Sequence, residues 1–354
     1  MSVSAARTAP FGGARWRGLL VPLGPLLAAF AVAALVLLFA GHDPLEVYWL
    51  LATESFGGSR RIAATLSAAT PLILTGLATA VAFRAGAFNV GVEGCIFVGG
   101  LAAAYVGFTF VGLPAFLLLP LALLAAVIVG SLWMLVPGLL KARLDVDEVV
   151  TTLMLNFIAI SLTAWLVNGP LLAPGSANSA TPMIVEAARL PKLMPPSTLN
   201  AGFIIAIVLL GLYALWGNRT ALGFETRIAG MNARFASASG INVPMLVIKM
   251  MLLSGAIGGL AGGIHALGNV GRFVAGFSPG YGFTGIAVAL LGRGSALGIF
   301  LAALLFGALA NAGATIQLFS DVPIEIVDIL QGTVMIFAVA QLGWLFARRR
   351  RAAA

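Results

Sequence analysis

Apolar runs of about 20 residues, the length a helix needs to cross roughly 30 Å of hydrocarbon, recur along nearly the whole chain. "AATLSAATPLILTGLATAVAF" (63–83) and "LPAFLLLPLALLAAVIVGSLWMLVPG" (113–138) are two of them. No other feature constrains the fold as much. Backbone in lipid must satisfy its own hydrogen bonds, which leaves helices or closed barrels. A barrel would show short alternating segments, whereas these runs are continuous and rich in Leu, Ala, Val and Gly. Charged residues make up 9% of the chain, against about 25% in soluble domains, too few to cover a surface in water. The reading is an all-α polytopic membrane protein.

Ten hydrophobic segments are predicted, at 19–40, 63–83, 93–112, 113–138, 149–168, 201–217, 243–268, 283–292, 296–316 and 324–346. A tail (1–18) precedes this transmembrane domain (19–346) and a basic tail (347–354) follows it. The first segment is longer than a signal-peptide core and reads as a retained span. Ten spans put fourteen Lys and Arg on the side of the termini. Five (Arg60, Arg61, Arg189, Lys192 and Arg272) fall on the other, with Lys249 near the inner end of the seventh span. The positive-inside rule then predicts cytoplasmic termini. The net charge of +8 is explained by those loops and tails, with "RRRR" (348–351) as a stop-transfer flank, without calling on nucleic acid.

Two stretches interrupt the pattern. "FRAGAFNVGVEG" (83–94) lies between the second and third segments, and "GFSPGYGFTG" (276–285) between the seventh and eighth. They lie five spans apart and on opposite faces, as an inverted five-plus-five repeat would place them, and interruptions of this kind mark solute pathways in transporters. Non-helical backbone at that depth needs partners in protein or a water-filled cavity. Gly86, Gly91 and Gly94 permit turns and close approach. Asn89 offers donors and acceptors. Glu93 is costly in a membrane and is expected to face a cavity, an interface or a partner such as Arg84; the plainer alternative has it start the third span. Phe88, Asn89, Glu93, Asn156 and Phe283 are the candidate pathway residues, with Asn156 open to a role between helices.

Asp145, Asp147 and Glu148 precede the fifth segment, where acidic residues suit a helix start. Lys249 can snorkel, and His265, alone, makes no metal site. The single Cys95 forms no internal disulfide. The chain holds no H-E-x-x-H or P-loop motif, so the expectation is a non-enzyme with no cofactor of its own. "TALGFETRIAGMNARFASASGINV" (220–243) is polar, glycine-punctuated and amphipathic. It reads as a solvated inner loop or, more sharply, as a peg of two short helices docking on a partner.

Taken together, "FRAGAFNVGVEG", "DEVVTTLMLNFIA", "LGFETRIAGMNARFASASGINV", "MLLSGAIGGLAGG" and "GYGFTGIAVALLGRGSALGIFLAALLFGAL" resemble the membrane permease subunits of bacterial ABC importers for nucleosides and simple sugars, in the superfamily that also serves ribose and branched-chain amino acids. The resemblance runs from about residue 60 to 345. It implies a type II importer fold in the bacterial cytoplasmic (inner) membrane. The implied partners are cytoplasmic ATPases that bind ATP and Mg, an extracytoplasmic solute-binding protein, and a second permease, more often different than identical. Gly223, Glu225, Arg227, Gly230, Asn232 and Gly240 match the family's coupling-loop pattern. Cys95 stands where relatives carry glutamine, and Thr284 where they often carry aspartate. The resemblance favours nucleosides, with a ribose-like sugar as the alternative. An ion-coupled secondary transporter is the rival of another class, and Glu93 is the only residue that suits it.

Overall fold

The computed structural model describes residues 23–319 and 328–337. They fall into two compact units, 48–319 and 23–47 with 328–337. Among the described residues the only bridges between extended segments are two isolated pairs, Ala180 with Val274 and Lys192 with Asn200. The rest of the ordered structure is helical. In order the α-helices are α1 (Leu23–Phe39), α2 (Pro44–Phe56), α3 (Ser59–Arg84), α4 (Val92–Thr109), α5 (Ala115–Leu144) and α6 (Glu148–Asn168). They continue with α7 (Gly202–Arg219), α8 (Ala221–Met231), α9 (Ala233–Ala238), α10 (Val243–Ile264), α11 (Tyr281–Leu291), α12 (Ala296–Phe319) and α13 (Asp328–Phe337).

Among the described residues seven helices are long and apolar enough to cross a membrane: α3, α4, α5, α6, α7, α10 with its continuation to Val270, and α12. An eighth is counted if Leu27–Phe39 and Pro44–Phe56 share one span. The expectation of ten full spans is therefore met only at this coarser level. The eighth expected segment is an 11-residue helix, α11, too short to span alone. The first and last expected segments extend into residues outside the described set, as do the arginine run and the N-terminal arginines. The sequence reading missed α2 altogether. It also ended the fourth segment at "PG", yet α5 runs through Pro120 and Pro137 to Leu144.

Burial sorts these helices. In its most apolar 18-residue window α3 is 83% buried, against 22% for α5 and α6. Thus α3 is central, and α5 and α6 turn apolar faces outward. Small residues let the centre close. A Cβ on Gly259 of α10 would lie 2.2 Å from the Ala126 carbonyl oxygen of α5, and one on Gly255 would lie 2.3 Å from the Gly130 carbonyl oxygen. On the α4 side, a Cβ on Gly262 would meet the Ile96 carbonyl oxygen at 2.1 Å. The run "SGAIGGLAGG" thus packs backbone to backbone on two neighbours, the usual device where lipid supplies no hydrophobic drive between helices. Cys95 is buried among Ala82, Ala87, Met134, Val247 and Met251 at this centre.

Gly259→Ala forces α5 and α10 apart, and overpacking of this kind costs about 1–3 kcal/mol. Gly211→Ala, in open space on α7, loses nothing and gains up to about 1 kcal/mol of helix propensity. Thermal unfolding of the detergent-solubilised protein should show a lowered midpoint for the first variant only.

Candidate functional site: two interrupted helices and a coupling hairpin

The first interruption begins with a closed helix end. Gly86 takes φ +81°, its N–H donates to Phe83 O at 3.0 Å, and Ala87 N–H donates to Ala82 O at 3.2 Å. This is a Schellman ending, which a glycine in the left-handed region makes cheap. The next residues run beside α6, which offers them a ladder of polar side chains. Phe88 N–H donates to Glu148 Oε1 (3.3 Å), Val90 N–H to Thr152 Oγ1 (3.2 Å) and Gly94 N–H to Asn156 Oδ1 (2.8 Å). Asn156 also donates from Nδ2 to Val90 O at 3.0 Å. Glu148, Thr152 and Asn156 are four residues apart, so they share one face of α6.

Asn89 works in the other direction. Its Oδ1 accepts from Gly91 N–H (2.7 Å) and its Nδ2 donates to Ser254 Oγ on α10 (2.8 Å). Ser254 in turn donates to Ala78 O on α3 at 2.7 Å. Asn89, Asn156, Thr152 and Ser254 are fully or almost fully buried, and each bonds to protein. The buried polar side chains of the break are thus spent on protein partners.

The second interruption, 271–280, is closed differently. The long loop 169–201 lies along it: Thr181 N–H donates to Phe273 O (2.9 Å), Ile184 N–H to Gly271 O (2.9 Å) and Ala275 N–H to Ser179 O (2.9 Å). Residues 265–270 form a π turn, with the His265 ring edge-on to Phe277 and Tyr281. Helix resumes at Tyr281, so the irregular stretch ends earlier than the sequence suggested. Ser278 Oγ accepts from Gly280 and Tyr281 N–H (3.2 and 3.1 Å). The buried Glu93 carboxylate accepts from Gly282 N–H at 2.6 Å. A carboxyl group set against the N-terminal turn of α11 is favoured by the helix dipole. The contact is intimate: a Cβ on Gly282 would sit 2.3 Å from Glu93 N. The two interrupted segments therefore meet where α4 and α11 start. Arg84, the partner foreseen for Glu93, instead donates to Gly217 O.

Of the five pathway candidates, Phe88 and Phe283 present exposed rings (40% and 39%), whereas Asn89, Glu93 and Asn156 are buried. Phe88 stacks on Phe83, with centroids 4.3 Å apart. Among the flanking acids, Asp147 caps α6 by accepting from Val149 and Val150 N–H, as foreseen. Glu148 instead joins Lys141 (3.2 Å) to the break. Thr152 and Ser254 escaped the sequence reading. The spacing of Glu148, Thr152 and Asn156 was the available signal; Ser254, alone among glycines, gave none.

The peg is a hairpin of α8 and α9. Thr220 caps α8 through Gly223 N–H (3.0 Å) and Asn232 caps α9 through Phe235 N–H (3.0 Å). Gly240, at φ +85°, ends α9 in a second Schellman turn, with Ile241 N–H on Ala236 O (3.0 Å). Its inner face, Leu222, Ile228, Ala229 and Ala236, packs as one cluster with Ile241 and with Val243 and Leu246 of α10. Gly223 and Gly230, two turns apart, lie against backbone: a Cβ on each would meet Trp216 O at 2.2 Å and Arg84 O at 2.4 Å. Arg227 and Arg234 are exposed and Glu225 half-buried. Phe224, Met231 and Phe235 are 62%, 75% and 60% exposed. Such large apolar side chains set beside arginines mark an interaction surface. Among the described residues no group of His, Cys, Asp and Glu could hold a metal ion.

Central interrupted helices joined by buried carboxylate and amide groups, with an exposed apolar and basic hairpin beside them, define a membrane transport subunit that works with a partner. The family model for the permease component of branched-chain amino acid transport systems matches residues 61–339, and the chain belongs to that family. It is 39% identical over 330 residues to a guanosine ABC transporter permease of Bacillus subtilis, covering 91% of this chain and 93% of the relative. It is 34% identical to a glucose ABC transporter permease of Haloferax volcanii, covering 96% and 90%, and 34% identical to a nucleoside ABC transporter permease of Lactococcus lactis, covering 91% and 90%. No solved structure matches the chain.

Asn156→Leu strips Gly94 N–H of its acceptor and Val90 O of a donor, each loss costing about 1–3 kcal/mol when buried. Thr163→Val, one face-repeat further along α6, loses only bonds within its own helix and should cost under about 1 kcal/mol. Thermal unfolding should separate the two; equal midpoints would contradict the ladder.

Proposed function

We propose that this chain is the pathway subunit of an ATP-driven importer of nucleosides, working by alternating access. The observation that carries the reading is the α8–α9 hairpin. It exposes Phe224, Met231 and Phe235 beside Arg227 and Arg234, in a chain that holds no P-loop. That surface suits a partner ATPase, which would bind the ATP and Mg. The guanosine and nucleoside permeases that this chain resembles over more than nine-tenths of its length favour a nucleoside. The glucose relative keeps a sugar as the second reading.

The full complex in this reading adds a solute-binding protein outside and a second, different permease. Ten spans, cytoplasmic termini and an inverted five-plus-five repeat belong to the same proposal. The repeat is supported by the shared order of long helix, break and new helix in 59–109 and 243–291, and by the Glu93–Gly282 contact. The pathway is assigned to the exposed rings of Phe88 and Phe283, whose aromatic faces suit a nucleobase. Asn89, Glu93 and Asn156 hold the break that positions it.

Radiolabelled guanosine uptake, in proteoliposomes holding the complete complex, tests the reading. Uptake should require ATP and resist excess ribose. Competition by ribose would move the assignment to sugars, and loss of uptake to a protonophore while ATP stays high would favour ion coupling. Phe88→Ala and Phe283→Ala should each raise KM by about tenfold, equivalent to ~1.4 kcal/mol and within the range for a base on an aromatic ring. Replacement of Glu225 or Arg227 by Ala should leave the protein folded while ATP hydrolysis no longer drives uptake.

A further inference from the structure

Arg84 ends α3 and begins the first break, yet its side chain turns away from both. The guanidinium donates to Gly217 O, in the last turn of α7, and its Cζ stands 5.6 Å from the centroid of Trp216. A cation at a helix C-terminus, over an indole face, is doubly favoured. No carboxylate among the described residues pairs with it. Two glycines leave space for the contact. A Cβ on Gly217 would lie 2.5 Å from an Arg84 guanidinium nitrogen, and one on Gly230 would lie 2.4 Å from the Arg84 carbonyl oxygen.

Arg84 therefore touches α7 with its side chain and α8 with its backbone. Beside it, a Cβ on Gly86 would lie 3.3 Å from Gly230 Cα, so the hairpin rests on the Schellman turn itself. On the same turn of α7, Tyr213 packs on Trp216 with ring centroids 5.9 Å apart. Its hydroxyl donates at 2.8 Å to Gly294 O, just past the end of α11. A displacement of α8 thus has solid neighbours leading to the first break and to the far end of α11. Arg84 Nε is buried without a protein partner, and a buried donor left unpaired disfavours the state that holds it.

We propose that Arg84 is the positioning residue that transmits movement of the α8–α9 hairpin to the break at 85–91, with Trp216 as its bearing surface. The proposal rests on the importer reading. Its test compares wild-type, Arg84→Lys, Arg84→Gln and Trp216→Leu complexes in proteoliposomes. Three quantities are read: co-purification of the ATPase, basal ATP hydrolysis, and guanosine taken up per ATP hydrolysed. Arg84→Gln and Trp216→Leu should keep the ATPase and its basal rate while uptake per ATP falls by about tenfold, as for a residue on a coupling route. Arg84→Lys, which keeps the charge, should lie between. Unchanged uptake per ATP in Arg84→Gln and Trp216→Leu would overturn the proposal. So would loss of the ATPase from both, which would make the contact a brace for assembly. A wild-type complex without ATP-dependent uptake is a separate outcome; it overturns the importer reading and this proposal with it.

Discussion

Inside a bilayer every backbone amide and carbonyl that leaves a helix must be met by another protein group or by enclosed water. The break at 85–91 meets much of that demand with the carbonyls that end α3 and with side chains: three from α6 and Asn89 of its own, which Ser254 holds. The segment at 271–280 meets it with the backbone of a long loop, and α11 starts under the Glu93 carboxylate. Everything else that bears on function is arranged around these two closures. The central helices approach closely because α10 is glycine on the faces it turns to α4 and α5. The exposed rings of Phe88 and Phe283 stand where they do because the backbone beside each is fixed.

The hairpin follows the same economy of small residues. Gly223 and Gly230 press α8 on the ends of α7 and α3, which frees its other face for Phe224, Arg227 and Met231. Of the six residues proposed for coupling, Gly223 and Gly230 pack by being small, Asn232 and Gly240 cap or end α9, and Glu225 and Arg227 are left to offer side chains to the proposed partner. A partner pulling on the exposed face would act on backbone already in contact with the first break. This contact gives the hairpin and the break a physical connection, where a wet loop of the same length would give none.

Much of this was legible in the residues. Apolar run length located most of the spanning helices, and Asp147 announced a cap. The breaks were visible because glycine, asparagine and glutamate cluster in otherwise apolar sequence. The destination of their hydrogen bonds was not, because it depends on which helix lies alongside. Asn89, Glu93 and Asn156 were open to a pathway role or to a role between helices for one and the same reason: each carries polar atoms into an apolar region. A helical reading of α6 would have shown Glu148, Thr152 and Asn156 as one stripe. α2 stayed hidden because "PLEVYWLLATESF" carries two glutamates and is too short to register as a span. α5 was cut short because proline usually ends a helix, while here Pro137 lies inside it.

The central claim is that the first break is a closed joint and not an open, hydrated loop. Hydrogen exchange of the solubilised protein, followed in peptides spanning 85–95, measures this directly. The account predicts slow exchange at Val90, Gly91 and Gly94, comparable to the neighbouring turns of α3 and α4, and faster exchange at those sites in Asn156→Leu. Rapid exchange of these amides in the unaltered protein would contradict it.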